Sequence, residues 1–292
     1  MQAELYTDLA IERRGASGLG EGYALKEEDL GLFQKTLLEI QTEEAAEKIG
    51  RPIGKYYTLS FPTVLELSSQ EAALLVDYTA EILEALTPKG AKRVLAVGLG
   101  NRTMTADAVG PRVCDCLSPS AQLERELPSL FAALPFSLAV ISPGVTAQSG
   151  LEAAEAVKAL SSLFRPDLIL AVDALAARAT ERLLKTVQIS STGLLPGSGT
   201  GKSRLPLTEE FLGVPVLALG VPTVVNARLF VAEALGEDEA EAKIKKGAAP
   251  LFVSTGDMDA SLSLLCPLLS EAINRLYAPA DPFFSVFPHK AR

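Results

Sequence analysis

The sequence predicts an α/β fold, in which a mostly parallel central sheet carries helices on both faces. Two observations point to it. Five short apolar runs, "VLAVGL" (94–99), "LAVIS" (138–142), "LILAV" (168–172), "TVQIS" (186–190) and "VPVLALG" (214–220), read as strands, and the first lacks the polar alternation of a half-exposed strand. Such continuous runs suit strands buried on both sides, the setting of parallel sheets. Between them lies helical periodicity, with Ala153, Val157, Leu160 and Phe164 on one stripe against Glu152, Glu155 and Lys158. Alternation of this kind packs as a sheet between helix layers.

Taken in order, residues 1–25 are polar and rich in glycine from Gly15 to Gly22, which predicts a flexible leader before a single domain over 26–292. Leu30, Phe33, Leu37 and Ile40 recur at three- and four-residue spacing, which predicts a helix. "YYTLSFP" (56–62) is a short strand closed by Pro62, and a helix runs from a Ser68 N-cap to Leu86, ended by Pro88 and Gly90. After the core strands, the charged stretch 236–250 reads as a solvated excursion. Residues 257–277 are helical, with Leu262, Leu265, Leu269, Ile273 and Leu276 in register and Pro267 starting or kinking the last part. No internal repeat is visible.

Composition excludes several functions. A net charge of −9 disfavours nucleic acid and anionic membrane as partners. No apolar run reaches the ~18 residues of a membrane span, and residues 1–14 are not a secretory signal. Three cysteines, Cys114, Cys116 and Cys266, make no disulfide framework and fit a reducing cytoplasm. The single histidine, His289, excludes most Ser-His-Asp and Cys-His mechanisms and makes a His-ligated metal unexpected. Neither cofactor nor metal is expected, so the chemistry falls to carboxylates, lysines or hydroxyls.

Two glycine-rich stretches imitate phosphate sites. Gly98-x-Gly100-x-x-Thr103 keeps two of three fingerprint glycines, and no acid follows at the expected distance. "PGSGTGKS" (196–203) has Pro196 where the first glycine belongs, and Pro206 blocks the helix whose N-terminus would hold phosphate. The carboxylates fare better. Asp107 follows the first core strand and Asp173 ends "LILAV", so both face one crevice if their strands are neighbours. Two acids there share a proton, and an ionised and a protonated carboxyl together supply a base and a carbonyl polariser. The alternative makes Asp107 a helix cap or a partner of Arg112, and Asp173 the cap of the next helix. The pepsin-type Asp-Thr/Ser-Gly signature is absent.

The stretches "GLGNRTMTADAVGPRV" (98–113), "ISPGVTAQSG" (141–150), "DLILAVDALAAR" (167–178), "STGLLPGSG" (191–199) and "LGVPVLALGVPTVV" (212–225) resemble, in order, the germination protease family of spore-forming bacteria. "YTDLAIE" (6–12) and "RPIGKYYTL" (51–59) extend the resemblance over most of the chain. It implies a cytoplasmic endopeptidase of the developing forespore and spore core that degrades small acid-soluble spore proteins during germination. It also implies a homotetramer, a self-processing zymogen, and a fold like the hydrogenase maturation proteases. In those relatives two acids and a histidine hold a metal; here the acids match without the histidine, which agrees with an atypical aspartic mechanism carried by Asp107 and Asp173. Family substrates are cut after an acid and before an apolar residue. Thr7-Asp8-Leu9-Ala10 fits, so self-cleavage is expected between Asp8 and Leu9; the alternative is an exposed tail. Asn226 stands where an acid is expected, and Lys202 and Arg204 are candidates for positioning a substrate carboxylate. Rival readings are a metal-dependent maturation-type endopeptidase and a non-catalytic binding protein.

Overall fold

The computed structural model describes residues 7–13, 21–132, 135–196, 204–236 and 251–278. Among them, nine strands form one sheet: β1 (Tyr23–Leu30), β2 (Phe33–Ile40), β3 (Gly54–Ser60), β4 (Arg93–Gly98), β5 (Ser137–Ile141), β6 (Leu168–Ala177), β7 (Thr186–Ser190), β8 (Val216–Asn226) and β9 (Phe252–Val253). Their order is β1-β2-β3-β7-β8-β6-β4-β5, with β9 beside β8. The α/β class holds, and the parallel strands are the block β8-β6-β4-β5, while β1, β2, β3 and β7 run antiparallel to their neighbours.

The inner parallel strands β4, β6 and β8 are buried on both faces, as their unbroken apolar runs require, while β5 at the sheet edge is partly exposed over Ala139–Ile141. Val94, Ala96, Leu170, Val172 and Leu219 face one layer, which holds the helices Ser69–Leu86, Val109–Asp115 and Met258–Tyr277. Leu95, Val97, Ile169 and Ala171 face the other, where Val157 and Ala154 of the helix Ala153–Phe164 cover them. Ser68 caps the first of these helices in a reciprocal capping box with Glu71. Met258–Tyr277 is one continuous helix with Pro267 inside it.

The segment around residues 30–40, expected to be helical, is a hairpin instead. Leu30 pairs with Phe33 across a two-residue turn in which Gly31 takes φ 78. Phe33, Thr36, Leu38 and Ile40 are the buried positions of β2. The spacing of the large apolar residues suited a helix, but Thr36 completes a period-2 stripe whose burial depends on pairing with β3. Of the stretch 236–250, read as a solvated excursion, residues 237–250 lie outside the described residues.

The carboxyl end of β4 lies against the middle of β6, with Gly98 opposite Val172. Close approach there explains the glycines that imitate a nucleotide loop. A Cβ on Gly98 would lie 2.4 Å from the Gly110 carbonyl oxygen, so the first turn of the helix Val109–Asp115 presses directly on the strand end.

Candidate active site

Asp107 leaves β4 through a turn built by its own side chains. Asn101 Oδ1 accepts the Thr103 N–H (3.0 Å), a local turn that needs no third glycine. Gly100 takes φ +109, and a Cβ there would lie 2.0 Å from the Asp107 carbonyl oxygen. The Asn101 N–H donates to the Asp107 carboxylate (2.8 Å), and Thr223 on β8 donates its hydroxyl to the Ala106 carbonyl (2.6 Å), tying the turn to the sheet. Arg112 is paired with Asp259, and the cap of the helix Val109–Asp115 is Ala108, with no side-chain cap bond.

Asp173 sits inside β6, which continues to Ala177, so it does not cap a helix. It is 7 % exposed. Burial raises its carboxyl well above the usual range, and Asp107 and then Asp8 push it further the same way; the Ala174 N–H and Arg204 oppose them. Asp107, Asp173, Asp8 and Arg204 all line one cleft of about 270 Å³ at the carboxyl ends of β4, β6 and β8. A buried carboxyl whose titration is raised by burial, lining one cleft with a half-buried second carboxyl, is suited to acid–base work on a carbonyl.

The third acid arrives from the leader. Residues 7–13 are packed structure rather than a loose appendage: Thr7, Leu9 and Ala10 are fully buried, and Ala10–Arg13 is a helical turn. Asp8 pairs with the end of β6, its N–H donating to the Ala176 carbonyl (2.8 Å) and its carboxylate accepting the Ala176 N–H (2.9 Å). Arg51 stands 3.7 Å from that carboxylate and donates to the Thr7 carbonyl (3.0 Å). Leu9 enters an apolar pocket of Leu175, Ala177, Leu183 and Val225. Glu12 anchors the far side by accepting the N–H groups of Arg178 (2.7 Å) and Ala179 (3.0 Å). This packing replaces the exposed-tail reading for residues 7–13; the glycine-rich part from 14 to 20 lies outside the described residues.

The remaining candidates separate. Asn226 is buried and caps the helix Ala227–Leu235 by accepting the Arg228 N–H (2.9 Å). Cys114 is buried, its thiol pushed up to about 12 by burial, which makes it a poor nucleophile. Lys202 and His289 lie outside the described residues. Among the described residues no three His, Cys, Asp or Glu side chains are grouped so as to hold a metal ion, and no helix is long and apolar enough to cross a membrane. Sequence reading missed Arg51, Glu12 and Gln188. Gln188 did leave a trace, as the one amide inside the apolar run "TVQIS".

The family model described as germination protease matches residues 3–236. The chain belongs to that family. It is therefore a peptidase, and the hairpin, both core acids and every residue lining the cleft except Phe252 lie within the matched residues. A germination protease of Clostridium tetani is 33% identical, covering 94% of this chain and 95% of that protein. One of Caldanaerobacter subterraneus subsp. tengcongensis is 40% identical over 76% of this chain and 69% of that protein. One of Bacillus subtilis is 36% identical over 76% and 63%. Among solved structures, the [NiFe] hydrogenase maturation protease HycI from Thermococcus kodakarensis KOD1 matches with 18% identity and a TM-score of 0.35, covering 66% of this chain and 99% of that one.

Proposed function

We propose that this peptidase hydrolyses small acid-soluble spore proteins through the pair Asp107 and Asp173, and that it is a zymogen processed between Asp8 and Leu9. The observation that supports the reading is the position of the leader: Asp8, the residue before the bond, lines the same cleft as both acids. In the proposed mechanism Asp173 holds the proton and polarises the carbonyl. Asp107, nearer solvent and supported by the Asn101 N–H, takes a proton from the attacking water. The proton then passes to the leaving amine. A substrate bearing an acid before the bond and an apolar residue after it would use the sites that now hold Asp8 and Leu9. Action in the forespore and spore core, and assembly as a homotetramer, belong to the same proposal; light scattering after size exclusion checks the assembly.

The test uses wild type, Asp107→Asn and Asp173→Asn, each with and without a chelator, on a peptide of the Thr-Glu-Ile-Ala type and on the protein's own leader. Chelator-resistant cutting that falls at least ~10³-fold in both variants is the expected result. Cutting that survives in the variants returns both aspartates to structural duty. Chelator-sensitive cutting assigns the reaction to a metal, and no cutting by wild type leaves a binding protein.

A further inference from the structure

On that reading Asp8 lines the cleft where the acid of a substrate would sit, and the side chain hydrogen-bonded on either side of the bond to be cut is that of Gln188. Its Nε2–H donates to the Asp8 carbonyl oxygen (3.1 Å), and its Oε1 accepts the Ala10 N–H (2.7 Å). A single amide thus brackets the Asp8–Leu9 bond, from the carbonyl on one side to the next N–H but one on the other. We propose that Gln188 is a second carbonyl-polarising residue of the cleavage reaction, acting alongside Asp173, holding the bond in register and donating to the oxyanion as it forms.

The sheet explains why Gln188 is placed to do this. Gly220 on β8 pairs with Asp173 of β6 on one side and with Gln188 of β7 on the other. Residues paired across strands present their side chains to the same face, so Asp173 and Gln188 stand in one row, two strand spacings or about 10 Å apart. Between them Gly220 contributes no side chain, and a Cβ there would lie 2.5 Å from Leu175 Cγ. The result is a floor with an acid at one wall and an amide at the other, and Asp8 lines the same depression as Asp173, Gly220 and Gln188. Leu175, which closes over Gly220, also forms part of the pocket that receives Leu9.

A purely structural glutamine in this run would satisfy its amide within the sheet. This one, 8 % exposed, gives both ends of its amide to the backbone of the segment to be cut. Release of residues 1–8 removes the Asp8 carbonyl from the Nε2–H, and the carbonyl of an extended substrate restores that partner. In the reaction, water adds to the Asp8 carbonyl carbon and loses a proton to the ionised carboxylate of the pair. The carbonyl electrons move to oxygen, where the Nε2–H stabilises them. The C–N bond then breaks with proton delivery to the Leu9 nitrogen, leaving a carboxylate and an amine. A donor aimed at an oxyanion typically supplies 10²–10³-fold in rate.

The experiment follows release of residues 1–8 from the full chain by intact mass, and cleavage of a Thr-Asp-Leu-Ala peptide in trans by protein already processed. Gln188→Met keeps volume and removes the amide; the expected result is a loss of about 10²–10³-fold, in kcat rather than KM for the peptide. Gln188→Glu supplies a donor only when protonated, so its rate relative to wild type should climb as pH falls from about 8 to about 4. If Gln188→Met unfolds at the assay temperature, the pH profile of Gln188→Glu decides. A Gln188→Met rate within about threefold of wild type, or a Gln188→Glu profile parallel to wild type, overturns the proposal. Loss of activity in Asp173→Asn alongside an active Gln188→Met would overturn it while leaving the acid pair standing. A wild type that cuts neither leader nor peptide overturns the acid-pair reading and this one with it.

Discussion

Glu12→Gln measures how firmly the leader is held over the cleft. The Glu12 side chain is 5 % exposed and lies 3.4 Å from Arg182. It accepts the N–H groups of Arg178 and Ala179 at 2.7 and 3.0 Å, and the Thr7 hydroxyl also donates to it. Glutamine keeps the length and one acceptor oxygen but loses the charge and one charged hydrogen bond. A hydrogen bond to a charged group contributes about 1.5–3 kcal/mol net. Since about 1.4 kcal/mol is tenfold, the undocked population of residues 7–13 should rise roughly 10- to 150-fold. Hydrogen exchange reads this directly at Asp8 and Ala10, whose amides donate to the Ala176 carbonyl and to Gln188 Oε1. Their exchange should accelerate by that factor while the Leu170 amide in β6 keeps its rate. Exchange at Asp8 and Ala10 within about twofold of wild type would refute the anchor. Equal acceleration at Leu170 would show that the leader opens only when the whole fold does.

Two further outcomes follow from the site. Gly100→Ala places a Cβ 2.0 Å from the Asp107 carbonyl oxygen at φ +109; it should cost about 1–3 kcal/mol in chemical denaturation and reduce peptidase activity by displacing Asp107. Asp173, whose folded-state carboxyl titrates above its unfolded value chiefly through burial, gives the fold a stability that is full below about pH 4 and lost as pH rises through the folded value. The melting temperature of Asp173→Asn relative to wild type should therefore increase as pH is raised from about 4 to about 8; a constant difference across that range would contradict the raised titration.

Much of this molecule was legible in one dimension because burial on both faces leaves a mark in composition. The runs 94–99, 138–142, 168–172, 186–190 and 214–220 all became strands, since a segment enclosed by two helix layers cannot carry charge. Asp107 and Asp173 stood out because each interrupts or follows such a run with an acid. Ser68 announced its helix through a hydroxyl followed by Glu71, a signal contained within four residues. The hairpin from Tyr23 to Ile40 was not legible, because Leu30, Phe33, Leu37 and Ile40 satisfy a helical period and only pairing with β3 selects the strand. Nor could periodicity distinguish a loose leader from one whose Leu9 and Ala10 are fully buried, since the side chains that bury them come from distant segments, Leu175, Ala177, Leu183 and Val225 around Leu9 and Leu38, Ile40, Ala45, Ile49 and Tyr56 around Ala10.

The sequence by itself determined the α/β class, the two core acids and the family to which the chain belongs. The tertiary structure alone decided what those acids face. Register between β4 and β6 brings Asp107 and Asp173 to one cleft. Register through Gly220 places Gln188 in the row of Asp173. The docking of residues 7–13 then brings the Asp8 carbonyl and the Ala10 N–H to Gln188. Strand register is set by contacts between distant segments, and no local pattern of residues encodes it.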